Sequence, residues 1–262
     1  MVGIAGPPST ETSIIQKYKA SVDGTMPIVP LGSSVASKIH AQRIAPDLGS
    51  VLLQLIYNSL DANASNISIK VDLQNFMLQV RDDGDGMTLA DLQRCGQQSS
   101  TSKLQSQSQL QDPHFPTHGF RGESLASISE FCLLDIVSTS RRFPNESTRK
   151  VFSSKNGATI SRLPCPTSVG TTVTCRDLFY NRPVVRKMHR RALHAAVNPL
   201  TGAASSSGRS GREALLDKLV SVVRGIAVIN ASKSFALYDA ARLEPACSIA
   251  RAPSLRAALA RL

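Results

Sequence analysis

A helical period of apolar residues, followed at once by two short alternating segments, constrains the fold of this chain most strongly. The helical period predicts an amphipathic helix over about 45–62. Alternation then predicts a hairpin with strands over 67–71 and 76–80, joined through Gln74 and Asn75. The apolar residues of the helix are Val51, Leu52, Leu55, Ile56 and Leu60, and its polar face carries Gln54, Asn58 and Asp61.

The remaining pattern extends this beginning to a mixed α+β chain. A short helix is predicted over 89–94 and another in GESLASISEF. Strands are predicted over 133–137, 149–152, 158–162 and 171–176, where β-branched and apolar residues cluster. Helices and strands in this order predict an α+β sandwich, with helices on one face of a mixed sheet.

Composition divides the chain into four parts. The composition predicts a flexible tail over residues 1–26 and a principal domain over residues 27–197. The Ser/Gly-rich stretch 198–212 is predicted to be a linker or insertion. Residues 213–262 predict the start of a second, incomplete α/β domain. Within the principal domain, the polar stretch 97–118 is long for a structureless segment and is typical of a lid or binding loop.

Charge and apolar content narrow the functional classes. The chain has 30 Lys+Arg against 19 Asp+Glu and no run of about eighteen apolar residues, so no membrane span is predicted. Its five cysteines lack a CxxC pair, which argues against a disulfide framework and a zinc site. Residues 178–212 include several basic residues and no acidic ones, and we call this segment the basic block. It either binds nucleic acid phosphates or forms a solvated loop. The DNA-binding candidates are Arg182, Arg186, Lys187, Arg190 and Arg191.

Four features point to one chemical task. Asn58 offers a neutral oxygen ligand of the kind that Mg²⁺ accepts beside phosphates and water, although a helix Asn is more often a surface residue. Asp82 in RDDGDGM can accept a hydrogen bond from an exocyclic amine, although an acidic turn after a strand is common. The glycines of THGFRGES precede a helix, whose N–H groups favour anions. GTTV places the Thr171 hydroxyl at a strand start.

In combination, these motifs resemble the nucleotide-binding fold shared by gyrase B, Hsp90, histidine kinases and MutL, and most closely MutL. The resemblance is carried by NSLDANA, RDDGDGM, TSKL, GFRGESL and GTTVTCRDLFYNRPVVRK. GFRGESL and DLFYNRP are specific to MutL-like proteins, and IHAQRIAPDLGSVLLQL is similar to the eukaryotic branch called MutL homologue three. The resemblance implies a Bergerat-type ATP-binding domain over 27–197, with 213–262 as the start of a ribosomal S5-like transducer domain.

The resemblance also implies roles for individual residues. Asn58 would bind Mg²⁺, Asp82 would bind adenine, and Gly84 and Gly86 would form walls of the base pocket. Thr171 would assist at adenine through water. The implied phosphate-covering residues are Lys103, Gly119, Phe120, Arg121 and Gly122.

Gln54 departs from the family pattern. In the family, a glutamate one helical turn before the metal-binding asparagine is the general base that deprotonates the attacking water. Gln54 keeps the spacing, but a carboxamide cannot accept that proton at neutral pH. We therefore expect ATP binding with slow or absent hydrolysis; alternatively, hydrolysis is shared with a partner subunit.

The resemblance further implies a DNA mismatch repair function with two cofactors, ATP and Mg²⁺. ATP would order the 97–118 segment and the N-terminal arm, and two such domains would close on DNA. The implied partners are DNA without sequence specificity, another MutL homologue in a heterodimer, and mismatch-recognising MutS-type proteins, in the nucleus. The alternatives are a non-hydrolysing interaction module stabilised by nucleotide and another member of the same superfamily, such as a histidine kinase.

Overall fold

The structure is a computed structural model that describes residues 30–97, 123–153, 157–197, 209–242 and 244–253. The chain divides into two compact units, 1–36 and 37–262, and the sheet and the polar residues described below belong to the second. The tail predicted over 1–26, residues 98–118 of the predicted lid and residues 198–208 of the predicted linker lie outside the described residues.

Helices and strands follow the predicted order closely. The helices are α1 (Ser33–Ile44), α2 (Leu48–Asp61), α3 (Leu89–Arg94), α4 (Ser124–Ser129), α5 (Pro183–His194) and α6 (Gly211–Ile229). The strands are β1 (Asn66–Asp72), β2 (Met77–Asp82), β3 (Leu133–Thr139), β4 (Ser147–Ser153), β5 (Gly157–Arg162), β6 (Gly170–Arg176), β7 (Ala196–Val197), β8 (Arg209–Ser210), β9 (Ser234–Asp239) and β10 (Pro245–Ile249).

One mixed sheet organises the fold. Its eight strands follow the order β10-β9-β1-β2-β6-β3-β4-β5. β9 runs parallel to β1, and the other neighbouring pairs in this sheet are antiparallel. Buried residues alternate with more exposed ones along β1 and β2, so one face of the sheet is covered and the other is more open. The predicted α+β sandwich with a mixed sheet is confirmed.

Helix α2 holds the polar residues of the site against this sheet. The Asp47 side chain caps its N-terminus by accepting from the Ser50 backbone N–H at 2.8 Å. One side of α2 is buried in the core, which fixes the rotation of the helix and therefore the direction of its polar residues. The buried apolar residues of α2 are Val51, Leu52, Leu55, Ile56 and Leu60.

The structure differs from the sequence prediction after residue 211. β9 and β10 do not begin a separate sheet, because β9 pairs with β1 and extends the sheet that contains β1 to β6. Arg212 at the start of α6 donates to Asp239 at the end of β9, at 2.6 and 3.1 Å. The Ser/Gly-rich composition of 198–212 suggested a domain boundary, yet the chain after it returns to the same core.

Candidate functional site

Three polar residues form a row across neighbouring strands on the covered face of the sheet. Asp82 ends β2, and it pairs in register with Thr171 of β6, which in turn pairs with Ser138 of β3. All three side chains are buried. Polar groups buried at the ends of strands require hydrogen-bond partners, and this row supplies them internally.

The Asp82 carboxylate is oriented by three donors. One oxygen accepts from the backbone N–H groups of Gly84 at 3.0 Å and Thr171 at 3.2 Å. The other oxygen accepts from the Ser59 hydroxyl of α2 at 2.9 Å. Burial raises the pKa of Asp82 above its ordinary value, the three donors counteract this, and neighbouring Asp83 adds a smaller upward contribution. A hydrogen-bond acceptor is thus fixed in direction within a water-poor site.

The other two aspartates of RDDGDGM have structural roles. Asp83 accepts from the backbone N–H groups of Ser65 and Asn66 at 2.7 and 2.8 Å. Asp85 accepts from Asn63 at 2.8 Å and from Arg141 at 3.0 Å. These contacts hold the turn after β2 together through Asp83 and Asp85, whereas Asp82 is directed into the polar row.

Gly84 and Gly86 allow backbone segments to approach one another. A Cβ at Gly84 would lie 2.5 Å from the Ala62 carbonyl oxygen, and one at Gly86 would collide with the Thr139 carbonyl oxygen. Gly86 also has a φ of +66°, which disfavours other residues. These glycines hold the loop after β2 between α2 and β3, and this packing fixes the position of Asp82.

Gln54 and Asn58 occupy successive turns of α2. Both side chains are half-buried, and their spacing of four residues places them on one face of the helix. α2 contains no glutamate, and its single aspartate, Asp61, lies at the last residue. This face of the helix therefore carries two amide side chains, and it has no carboxylate one turn before Asn58.

Five predicted site residues lie outside the described residues: Lys103, Gly119, Phe120, Arg121 and Gly122. Among the residues that the structure describes, no group of three or more His, Cys, Asp or Glu side chains could hold a metal ion. The same described residues include no helix of the length and apolar character needed to cross a membrane.

The basic block forms helix α5, with Pro183 at its first turn. The Arg182 guanidinium lies 4.3 Å from the Phe131 ring and donates to the Ala45 carbonyl at 3.1 Å. Burial lowers the pKa of Arg182. The Arg186 guanidinium lies 4.4 Å from the Phe76 ring. These two arginines contribute to packing.

The other three predicted DNA-binding residues are exposed. They are Lys187, Arg190 and Arg191. The α5 helix contains no acidic residue to neutralise them.

Sequence reasoning missed Ser59 and Ser138. Ser59 follows Asn58 in NSLDANA, so its position on the buried side of an amphipathic helix was available from the helical period. The Ser138 hydroxyl accepts from the Met87 backbone N–H at 2.8 Å and lies 2.9 Å from the Thr171 hydroxyl. Ser138 lies 51 residues from Met87 and 33 from Thr171, so only the strand register reveals this contact.

Comparisons with known proteins agree with this geometry. Residues 47–175 match the family described as "Histidine kinase-, DNA gyrase B-, and HSP90-like ATPase". The DNA mismatch repair protein MLH3 of Arabidopsis thaliana is 32% identical over 81% of this chain and 16% of its own length. Human Mlh3 is 34% identical over 60% of this chain and 11% of its own length. MutL of Microcystis aeruginosa is 35% identical over 62% of this chain and 29% of its own length. The chain thus spans less than a third of these relatives.

Solved structures show the same fold. The N-terminal domain of a DNA repair protein superposes with a TM-score of 0.64 at 24% identity, covering 86% of this chain and 59% of that one. The Aquifex aeolicus MutL ATPase domain complexed with ADP gives a TM-score of 0.58 at 19% identity, covering 83% and 69%.

The chain carries an ATPase domain of the histidine kinase, gyrase B and HSP90 superfamily. Within that superfamily the chain is similar to MutL-type proteins, with relatives among both bacterial MutL and eukaryotic MLH3 proteins, which are named DNA mismatch repair proteins. The resemblance to MutL drawn from the motifs is confirmed.

Proposed function

We propose that the chain binds ATP in the pocket defined by Asp82 and that it hydrolyses ATP slowly or not at all. The oriented Asp82 carboxylate is the observation that carries the proposal. A buried acceptor held by three donors matches the exocyclic amine of adenine, whereas a carbonyl at that position of the purine would be repelled. Thr171, which donates its backbone N–H to Asp82, places a hydroxyl beside the same edge of the base.

The residues present fit a magnesium ion only together with a nucleotide. Asn58 provides one neutral oxygen, and no carboxylate cluster accompanies it within the described residues. Mg²⁺ tolerates such a site because it keeps several waters and takes further oxygens from phosphates. Asn58 would hold the ion, and the bound ion would neutralise triphosphate charge.

Gln54 limits the proposed turnover. A carboxamide can orient a water molecule by hydrogen bonding, but it does not take up the proton that must leave as water attacks phosphorus. Loss of a general base lowers a rate by about 10²–10⁴. Nucleotide binding, more than turnover, would then control the domain.

The substitution Gln54→Glu tests the proposal. Binding is measured by titrating a fluorescent ATP analogue with and without Mg²⁺, and turnover by phosphate release. We expect similar binding in both chains and a rise in turnover of about 10²–10⁴ in Gln54→Glu. Gln93→Glu on α3 is the matched control, because it adds the same charge at an exposed residue away from α2.

Each negative result has a distinct meaning. If Gln54→Glu binds ATP and gains no turnover, the missing base is not the limiting defect. Absence of Mg²⁺-assisted binding by the unmodified chain would reject the site itself. A gain of equal size in Gln93→Glu would show that added charge is responsible.

The absence of a carboxylate at Gln54 also favours a second function, that of a non-hydrolysing interaction module. A nucleotide bound only by the folded state stabilises it by mass action. In that case ATP would raise the melting temperature of the chain, and Gln54→Glu would leave phosphate release at background.

At the level of the assembly, we propose that ATP orders the N-terminal arm and residues 97–118, with Lys103 and Gly119 to Gly122 covering the phosphates. Two MutL homologues would then close on DNA, in a nuclear heterodimer that also meets MutS-type proteins. The exposed cations of α5 would contact DNA phosphates without reading sequence. Sedimentation of this chain with a candidate MutL partner, with and without a non-hydrolysable ATP analogue, tests closure; unchanged sedimentation on adding the analogue would contradict it.

A further inference from the structure

A buried lysine of β4 holds the end of helix α3. Lys150 is only 3% exposed. Its ammonium donates to three backbone carbonyls, those of Leu92, Gln93 and Cys95, at 2.8, 2.9 and 2.7 Å. All three protons of the ammonium are thereby used. Within the described part of the chain no carboxylate pairs with Lys150, so these carbonyls are what compensates for the burial of its charge.

The backbone at the end of α3 leaves these carbonyls to Lys150. The Asp91 carbonyl accepts from the Cys95 N–H at 2.8 Å, and the Arg94 carbonyl accepts from the Gln97 N–H at 3.1 Å. The other carbonyls in the last turn of a helix need a partner from outside the helix. Lys150 supplies it from a neighbouring strand, at the end of the helix where a cation is favoured.

A second residue of β4 holds the chain directly after α3. Phe152 lies two residues from Lys150 and therefore on the same face of the strand. A Cβ at Gly96 would lie 2.5 Å from the Phe152 ring, and Gly96 has a φ of +76°. Only a glycine therefore allows the backbone to lie against this ring. Lys150 and Phe152 together fix the position and direction of the chain at residue 96.

The other end of α3 is held beside the Asp82 pocket. Thr88 and Asp91 form a capping box, in which each side chain accepts from the backbone N–H of the other. The preceding Met87 N–H donates to Ser138 of β3 at 2.8 Å. Helix α3 is thus a short connection between the loop after Asp82 and residue 96, with its start held by β3 and its end held by β4.

We propose that Lys150 is a positioning residue for the nucleotide phosphates, because it fixes the place from which the chain leaves α3. The residues proposed to cover the phosphates, Lys103 and Gly119 to Gly122, follow Gly96 in the sequence. A fixed starting point reduces the conformational entropy that phosphate binding must remove from the chain. This inference rests on the proposed ATP site, which it deepens by naming a residue of the sheet on which the phosphate contacts depend.

The test compares ATP with adenosine, which has the same base and no phosphate. Calorimetric titration of the 262-residue chain in the presence of Mg²⁺ measures both affinities without any dependence on hydrolysis. We expect the unmodified chain to prefer ATP. In Lys150→Met the side chain fills a similar volume but donates no hydrogen bond, so the preference should fall by about 10-fold for each residue whose backbone must be ordered again on binding. The affinity for adenosine should stay nearly unchanged, because the donors that orient Asp82 do not involve α3 or β4.

Two further variants separate positioning from a general loss of stability. Gly96→Ala disturbs the same point of the chain and leaves the three hydrogen bonds of Lys150 in place, so it should also lower the preference for ATP. It decides the question if Lys150→Met does not fold. Asp239→Asn is the matched control, because it removes a buried charge from β9, near the opposite margin of the sheet from β4. It should leave the ratio of the two affinities unchanged, even as it lowers the melting temperature.

The outcomes distinguish this inference from the function on which it rests. An unmodified chain that binds neither compound would overturn the proposed ATP site and the role of Lys150 together. An unmodified chain that binds adenosine and ATP equally would leave the adenine pocket in place and overturn the role of Lys150. A folded Lys150→Met or Gly96→Ala that keeps the full preference for ATP, or an equal fall of the preference in Asp239→Asn, would also overturn that role.

Discussion

The ion pair between Arg212 and Asp239 should be among the most costly interactions to break. Asp239 is 0% exposed and the Arg212 side chain is 21% exposed, with contacts of 2.6 and 3.1 Å between them. Removing one partner of a buried pair costs about 3–5 kcal/mol, because the other charge stays buried without compensation. Arg212 retains some access to water, so we expect about 3 kcal/mol for Asp239→Asn, near the lower limit of that range.

Urea denaturation at pH 7 measures this loss as a change in the free energy of unfolding. Thermal denaturation should show a fall of about 6–12 °C, from roughly 2–4 °C per kcal/mol for a domain of this size. Glu146→Gln is the matched control, because its pair with Arg162 spans 3.7 Å with side chains 54% and 67% exposed. That control should lose less than about 1 kcal/mol.

A double substitution isolates the cause of the loss. Adding Arg212→Met to Asp239→Asn removes the cation left without its carboxylate, so part of the lost stability should return. If Asp239→Asn loses no more stability than Glu146→Gln, the reasoning about burial is refuted. A double variant less stable than the single one would also contradict it.

Three further predictions follow from the site and its surroundings. Asp82→Asn should keep or increase the free energy of unfolding at pH 7 while abolishing ATP binding. Burial raises the pKa of Asp82, so the charged carboxylate costs stability once the pH has risen through the folded pKa. The amide oxygen of the variant can still accept from the backbone N–H groups of Gly84 and Thr171. Urea denaturation and ATP titration check this, and a large loss of stability would contradict it. Burial alone would raise the pKa of Asp135. Arg149 and Arg176 donate to its carboxylate, however, and the pKa therefore lies below the ordinary value of 3.8. Its stabilising contribution should be complete above that value and decrease as pH falls toward the folded pKa, so unfolding curves of Asp135→Asn and the unmodified chain should converge in acid. Lys187→Gln with Arg191→Gln should reduce the slope of log K against log salt for duplex DNA by about 1.8, whereas Lys218→Gln with Arg224→Gln on α6 should leave it unchanged.

Local patterns were sufficient for most elements of the fold. The period of α2 and the alternation of β1 and β2 reflect burial on one side, so their sequences predict both the elements and their buried faces. Helix α5 was missed because charge dominates its sequence, and β10 because a short strand at the margin of a sheet has little pattern of its own. Sheet membership of β9 was also not predictable, since its parallel partner β1 lies far away in sequence.

The site was predictable where a motif is contiguous. NSLDANA and RDDGDGM indicated Asn58 and Asp82 as candidates, and the structure adds the contacts that orient Asp82. The contribution of Ser138 depends on the register between β3 and β6, which no local pattern encodes. Charge alone also failed to separate Arg182 and Arg186, which are half-buried and pack on aromatic rings, from Lys187 and Arg191, which are exposed.

The position of β1 between β2 and β9 has a consequence for biosynthesis. The ribosome completes the hairpin of β1 and β2 by residue 82. The strand that pairs with the other edge of β1 is β9, and its synthesis is not complete until residue 239. Throughout that interval a nascent chain carries an open strand margin capable of pairing with another molecule. Premature termination between these two points would leave that margin permanently unpaired, and the resulting fragments should aggregate.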